Sequence, residues 1–348
     1  MSSMVSFAAP HVVEVVEVAD DPPERVGAHE VRLRTLFSGI SAGTELTTYR
    51  GSNPYLTKRW DEHARLFVDG AGSFDYPVNG WGYEEVGAVV EVGEQVTGLA
   101  IGDVVWGTWG HRSETIQAAE RAAGRILSSS VDPRIGIFSH IGAIALNVVL
   151  DADIHIGETV AVFGLGVPGQ IVAQLARLNG ARVIGVDGIA ARRELATALG
   201  ADIVLDPAGG GVAERIKGLT DGRGADVCLE VTGNYQAMHE AIRAVAYSSR
   251  VCVAGFMQGE GVGLRLGEEF HHNRVAVTAS QISGVSPALQ HRWDSYRLAK
   301  TAMDLAVSGR LRLLELITHT FPLSEAGAAF TLLDQHPQLA LQVVLSFD

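Results

Sequence analysis

ETVAVFGLGVPGQIVAQLARLNGARVIGVD, residues 158–187, decides the fold. A continuous apolar run, ETVAVFGLG, reads as a strand buried on both faces and entering a glycine-rich turn. The next residues carry helical spacing at Ile171, Val172, Leu175 and Leu178. ARVIGVD (181–187) is a second buried strand. Gly164-Leu165-Gly166-Val167-Pro168-Gly169 therefore forms G-x-G-x-x-G between a strand and a helix, the context in which that motif holds a dinucleotide. Gly164 permits the tight turn, Gly166 lets backbone approach a pyrophosphate, and Gly169 allows close helix–strand packing. The helix N-terminus adds free N–H groups and a positive dipole end for the phosphates.

Asp187 follows Gly169 by 18 residues at the end of the second strand. A carboxylate there accepts hydrogen bonds from ribose hydroxyls and repels a 2′-phosphate, which favours NAD over NADP. Arg192, with Arg193 beside it, is the opposing feature, since a guanidinium there reaches a phosphate. Thr232 and Gly255, at the ends of the later strands ADVCLEVTG and RVCVAGF, complete the expected cofactor contacts.

Working outward, DIVL (202–205), 225–233 and 250–256 continue the alternation of strand and helix, which implies a parallel sheet. VAVTASQISG (275–284) reads as one more strand, followed by a long helix around Trp293–Val307. Residues 1–130 differ: short Val-rich runs at 11–18, 29–39, 85–96 and 102–109 alternate with Gly, Asn and Asp, the pattern of a small barrel.

The 348 residues suit two domains. A formal charge of −13, from 27 Lys and Arg against 40 Asp and Glu, argues against nucleic acid or an anionic membrane as partner. Only Lys58, Lys217 and Lys300 are lysines. Two cysteines, Cys228 and Cys252, exclude a disulfide scaffold and a Cys-rich metal site. The first residues lack the pattern of a signal peptide, and the apolar run Ile141–Leu150 is short for a membrane span and broken by Asn147. The expectation is a cytoplasmic protein.

The layout resembles the medium-chain dehydrogenase/reductase superfamily over nearly the whole chain. Ser38-Gly39-Ile40-Ser41-Ala42-Gly43-Thr44-Glu45 is similar to that family's S-G-I-C-G-T-D segment, with one extra residue. Gly82-Tyr83-Glu84-Glu85-Val86-Gly87 is similar to its G-H-E-x-x-G, and Gly93 through Val105 to its V-G…G-D-R-V. The resemblance implies an α/β chain: a GroES-like β-barrel catalytic domain from residues 1–140 and 284–348, and a Rossmann domain over 141–283.

The departures from the family are informative. Where zinc-dependent members hold the catalytic metal with Cys, His and a third ligand, this chain has Ser41 or Ala42, Tyr83 and Ser139. Neutral hydroxyls are poor zinc ligands. The clustered cysteines of the family's structural zinc lobe are missing as well. The expectation is no zinc, with Glu84 and His140, or His63 and His111, the pairs from which a residual metal site would be built.

Without a Lewis acid, hydrogen-bond donors and a general base must do the work. The candidates are Thr44, matching the family's Ser/Thr that contacts the substrate oxygen; Tyr83, which replaces a ligand; Glu84, retained from G-H-E; and His140. Each has a plain alternative: a turn hydroxyl, a void-filling ring, a structural carboxylate, a core histidine. Glu45 replaces the family's Asp behind the site, and the family's relay histidine falls near Thr47.

The polar, aromatic stretch TYRGSNPYLTKRWDEHARLF (48–67) reads as a wall for a hydroxyl-rich substrate or as a surface loop, with Trp81 and Trp109 as stacking faces. The leading reading is oxidation of a secondary alcohol of a sugar, polyol or cyclitol by NAD. A large planar alcohol of the bacteriochlorophyllide kind, a quinone or enoyl reductase, and a nucleotide sensor without turnover are the alternatives. A homodimer or homotetramer is expected, because the superfamily's last Rossmann strand commonly extends the sheet across a dimer.

Overall fold

A computed structural model describes residues 2–347 apart from Asp20 and Glu24. Among the described residues the chain divides into two compact units, one of residues up to His140 with those from Leu314 on, the other Ile141–Leu313.

The second unit is a parallel sheet ordered Ile203–Leu205, Arg182–Val186, Thr159–Phe163, Ala225–Glu230, Val245–Val253, Ala276–Ala279. Numbered along the chain this is 3-2-1-4-5-6, the doubly wound dinucleotide-binding order. The first strand is buried throughout because helices cover both faces. Ala161, Phe163, Ile184, Cys228 and Val251 meet the apolar side of the helix Tyr235–Ala244. Both cysteines are core filling, and burial pushes the Cys252 thiol up to about 12.

The expected boundary at 284 moves to 313. The helix Ser295–Val307 buries Leu298, Ala302 and Met303. The Gln174 side chain donates to the Arg312 carbonyl at 3.0 Å and accepts the Arg312 N–H at 2.8 Å. The segment lacks strand–helix rhythm, yet its Ala302 packs at Gly142 of the helix Ser139–Asp151, and it belongs to the second unit.

The first unit is β-rich, the GroES-like half of the fold. Its long strand Glu30–Ile40 pairs with Gln342–Ser346, Glu85–Val92 and Glu114–Ala118, so the last strand of the chain lies beside an early one. A smaller sheet joins Val12–Val18, Ser2–Ala9 and Val78–Asn79. Ser2–Ala9 and Glu114–Ala118 were not among the expected strands, since neither alternates cleanly. The stretch 48–67 folds as a short helix, Glu45–Arg50, and a separate hairpin, Lys58–Asp61 with Leu66–Asp69. On it Tyr55, Trp60 and Phe67 pack edge to face, while Tyr49 is buried against Phe330.

The helical run Pro133–Asp151 spans 19 residues and is apolar enough to cross a membrane by length and composition, but most of it is buried within the protein.

Candidate active site

The glycine-rich turn follows the strand Thr159–Phe163, and the helix Val167–Leu178 starts from Gly166. Gly164 has φ +94°, and a side chain there would strike Thr232 at 2.7 Å. A Cβ on Gly169 would overlap the Gly164 carbonyl oxygen. Gly166 is different: a Cβ there would meet nothing nearer than the Arg192 guanidinium and Pro168 at 4.0 Å. Two glycines are thus demanded by packing, and the third leaves open space over a helix N-terminus that Leu165, Val167 and Pro168 frame. This arrangement fits a dinucleotide pyrophosphate.

Asp187 does more than face a ribose. Its carboxylate accepts the Leu165 N–H at 2.8 Å and the Ile189 N–H at 2.8 Å, fastening the turn to the second strand. Arg192 stands 3.9 Å from it, and its burial lowers the guanidinium pKa. Across the turn, buried Glu230 accepts the Thr232 N–H at 2.7 Å, the Thr232 hydroxyl and the Gly233 N–H at 3.3 Å. A Cβ on Gly255 would collide with Gly233 and Glu230. Thr232 and Gly255 thus belong to one packed wall, and Glu230, unnoticed in the sequence, orders it. Ser280 donates to Asp151 at 2.6 Å, which commits it to that carboxylate.

In the β-rich unit, the strand Glu30–Ile40, the loop entering the helix Glu45–Arg50 and the strand Glu85–Val92 converge. The Tyr83 phenol donates to Ser41 Oγ at 2.5 Å. Burial, then the charges of Glu84 and Glu45, raise its pKa far above the usual phenol range; the Ser41 and Thr44 hydroxyls offset part of this. Tyr83 is therefore a neutral donor. His140 packs edge to face on Tyr83 with ring centres 4.8 Å apart, and burial holds its pKa below the usual 6.5. Thr44, Tyr83 and His140 are all half-buried and so remain reachable.

Glu84 is sealed, 1% exposed, beneath Gly39 and beside the Gln342 amide. Its Oε2 has no hydrogen-bond partner among the described residues. Burial first, then Glu45 and Glu85, raise its pKa well above the carboxylate range. A neutral, enclosed carboxyl acts on the site from behind. The burial and the raised pKa are what the sequence reading expects of Glu84; its enclosure favours a supporting role over direct proton transfer.

Below it runs a network that the sequence did not reveal. His111 Nε2 lies 2.6 Å from Glu45 Oε2 and Nδ1 2.6 Å from Ser38 Oγ. Ser38 donates to Glu85 at 3.1 Å, Glu85 accepts the Trp109 N–H at 2.6 Å, and the Ser41 N–H donates to Glu45 at 3.0 Å. Both ring nitrogens of His111 are engaged, and His63 is exposed on the hairpin, so these two do not form a metal pair. Thr47 gives its hydroxyl to the Thr44 carbonyl at 2.6 Å, a local turn bond. Trp109 is half-buried and packs on Gly87 and Gly107 with its indole N–H on Thr35.

Ser41, Tyr83 and Ser139 occupy the sequence positions where the resemblance implies zinc ligands, and all three offer neutral oxygens. The phenol proton already points at Ser41. This donor set does not fit a zinc ion.

Burial pulls the His111 pKa down, but Glu45 and Glu85 outweigh it and leave the pKa raised. A raised folded-state pKa means the stabilisation is complete below about pH 6.5 and is lost as pH rises through the folded-state value. His111→Ala leaves a buried carboxylate without its partner, for an expected cost of about 3–5 kcal/mol. Thermal melts check both points: the parent's melting temperature falls as pH rises above about 6.5, and the variant melts lower with that slope reduced. Equal melting temperatures would contradict the ion pair.

A family model described as zinc-binding dehydrogenase matches residues 167–298. D-guloside 3-dehydrogenase of Escherichia coli (strain K12) is 31% identical, over 97% of this chain and 98% of the relative. Sorbitol dehydrogenase of Halalkalibacterium halodurans is 25% identical, over 90% of this chain and 91% of its own. Among solved structures, a zinc-binding dehydrogenase from Sinorhizobium meliloti 1021 bound to NADP superposes with a TM-score of 0.77, at 23% identity and 99% coverage of both chains. On the guloside dehydrogenase likeness, which runs the length of both proteins, the chain belongs to the zinc-binding-type dehydrogenases of the medium-chain dehydrogenase/reductase superfamily, oxidoreductases acting on CH–OH groups.

Proposed function

We propose that this chain oxidises a secondary hydroxyl of a sugar, polyol or cyclitol, with NAD as partner and without zinc. The observation that carries the reading is the Tyr83–Ser41–Thr44 hydroxyl group, flanked by His140, with Tyr83 and Ser41 at sequence positions that the resemblance assigns to metal ligands. The names of the relatives, D-guloside 3-dehydrogenase and sorbitol dehydrogenase, support the substrate class.

When bound, NAD supplies the hydride acceptor. The chain's own residues do the rest. Thr44 and Tyr83 hold the substrate oxygen by hydrogen bonds, and the phenol stabilises charge that develops there. His140, neutral at pH 7, takes the hydroxyl proton. Burial keeps Tyr83 in its protonated, donating form.

Tyr83→Phe and His140→Asn should each lower kcat by about tenfold or more, roughly 1.4 kcal/mol of barrier. The parent's kcat should fall on the acid side at a pH below 6.5, where the imidazole gains its proton; His140→Asn should lose that limb. An acid limb unmoved by the substitution would remove His140 as base. Full activity in both variants would sink the site assignment.

Asp187 favours NAD by charge, with Arg192 alongside the phosphates. Asp187→Asn removes the charge and keeps an acceptor for one of the two N–H groups, Leu165 or Ile189, that the carboxylate oxygens take separately. It should shift the NAD-to-NADP preference toward NADP by roughly tenfold; unchanged discrimination would point to Arg192 and NADP instead. The protein is further proposed to be a homodimer through the sheet edge at Ala276–Ala279, whose residues are all exposed; its mass in solution is the check.

A further inference from the structure

The Rossmann unit carries a second constellation, away from the glycine-rich turn, on the helix Tyr235–Ala244 and the turn leading into Glu269–His272. His239, Glu268 and Glu269 each bring a ligand atom to within 4.8 Å of the others. His239 is 5% exposed, and neither ring nitrogen has a hydrogen-bond partner among the described residues. A buried imidazole with both nitrogens unsatisfied costs free energy unless something fills the position.

The carboxylates are arranged for that. Glu268 gives one oxygen to Arg265 Nε at 2.8 Å, and Glu269 gives one to Arg243 Nε at 3.2 Å. Glu269 Oε2 is buried and unpartnered among the described residues. Each arginine thus fixes the orientation of a carboxylate whose other oxygen is left for a ligand, as outer-shell groups do around metal ions. Glu214 and Glu240 also bind Arg243. Four carboxylates against two guanidinium groups leave the cluster with two negative charges, which a divalent cation neutralises.

We propose that His239, Glu268 and Glu269 form a binding site for a divalent transition-metal ion of the Zn²⁺ class. One imidazole with two carboxylates suits such an ion and not Mg²⁺ or Ca²⁺, which take all-oxygen sets. Water completes the coordination through the exposed Glu268 side. The ion pins the 257–272 segment to the helix that begins just after Thr232 and Gly233, so its role is structural and does not depend on the zinc-free reading of the barrel.

The test uses the whole chain, dialysed against chelator and verified metal-free, then titrated with Co²⁺ as a visible stand-in. One equivalent should bind with d–d absorption, yield to Zn²⁺, and raise the melting temperature. His239→Asn and Glu269→Gln should each weaken binding by at least about tenfold, with circular dichroism and dinucleotide binding retained. Glu269→Gln keeps an acceptor for Arg243, so it reads the site even where the histidine variant folds poorly. Absence of Co²⁺ uptake, or uptake equal in parent and Glu269→Gln protein, overturns the proposal.

Discussion

The Glu45–His111 contact, 2.6 Å long and closed to water, holds the floor of the barrel site together. Glu45 also takes the Ser41 N–H, and His111 takes Ser38, which reaches Glu85. One ion pair therefore sets the loop that carries Ser41 and Thr44, the strand behind it, and the segment that carries Tyr83 and Glu84. Burial is the main cause of the raised Tyr83 and Glu84 pKa values, and the neighbouring carboxyl groups add to it, so the phenol stays a donor.

The other unit solves a similar problem with backbone donors. Asp187 and Glu230 flank the glycine-rich turn, and each satisfies peptide N–H groups that would otherwise be left without partners. The carboxylates that shape the cofactor end of the sheet are thereby structural as well as recognitive. Substituting either one changes the turn along with the ligand contacts.

Local chemistry was the legible part. The strand–turn–helix around Gly164–Gly169 could be read because each glycine answers a constraint from residues close in sequence or one strand away. The barrel strands from Val12, Glu30, Glu85 and Val104 showed through their alternation. What failed to show was long-range. Gln342 reaches the Ile40 carbonyl across three hundred residues, and no spacing announces it. His111 meets Glu45 through the turn after Trp109, so a lone histidine looked available for metal when both its nitrogens were committed. The helix Ser295–Val307 went to the wrong domain because its partner is a tertiary surface. The vacated zinc positions were visible as residue types, while the sealing of Glu84 beneath Gly39 depended on packing alone.

The central claim is that a hydroxyl and imidazole set does the work of a metal in the barrel site. Chelator-dialysed protein, with residual metal measured in the same sample, should still reduce NAD when offered a panel of glycosides, polyols and cyclitols. Turnover that vanishes with the metal and returns with added Zn²⁺, in the His239→Asn protein as in the parent, would contradict it.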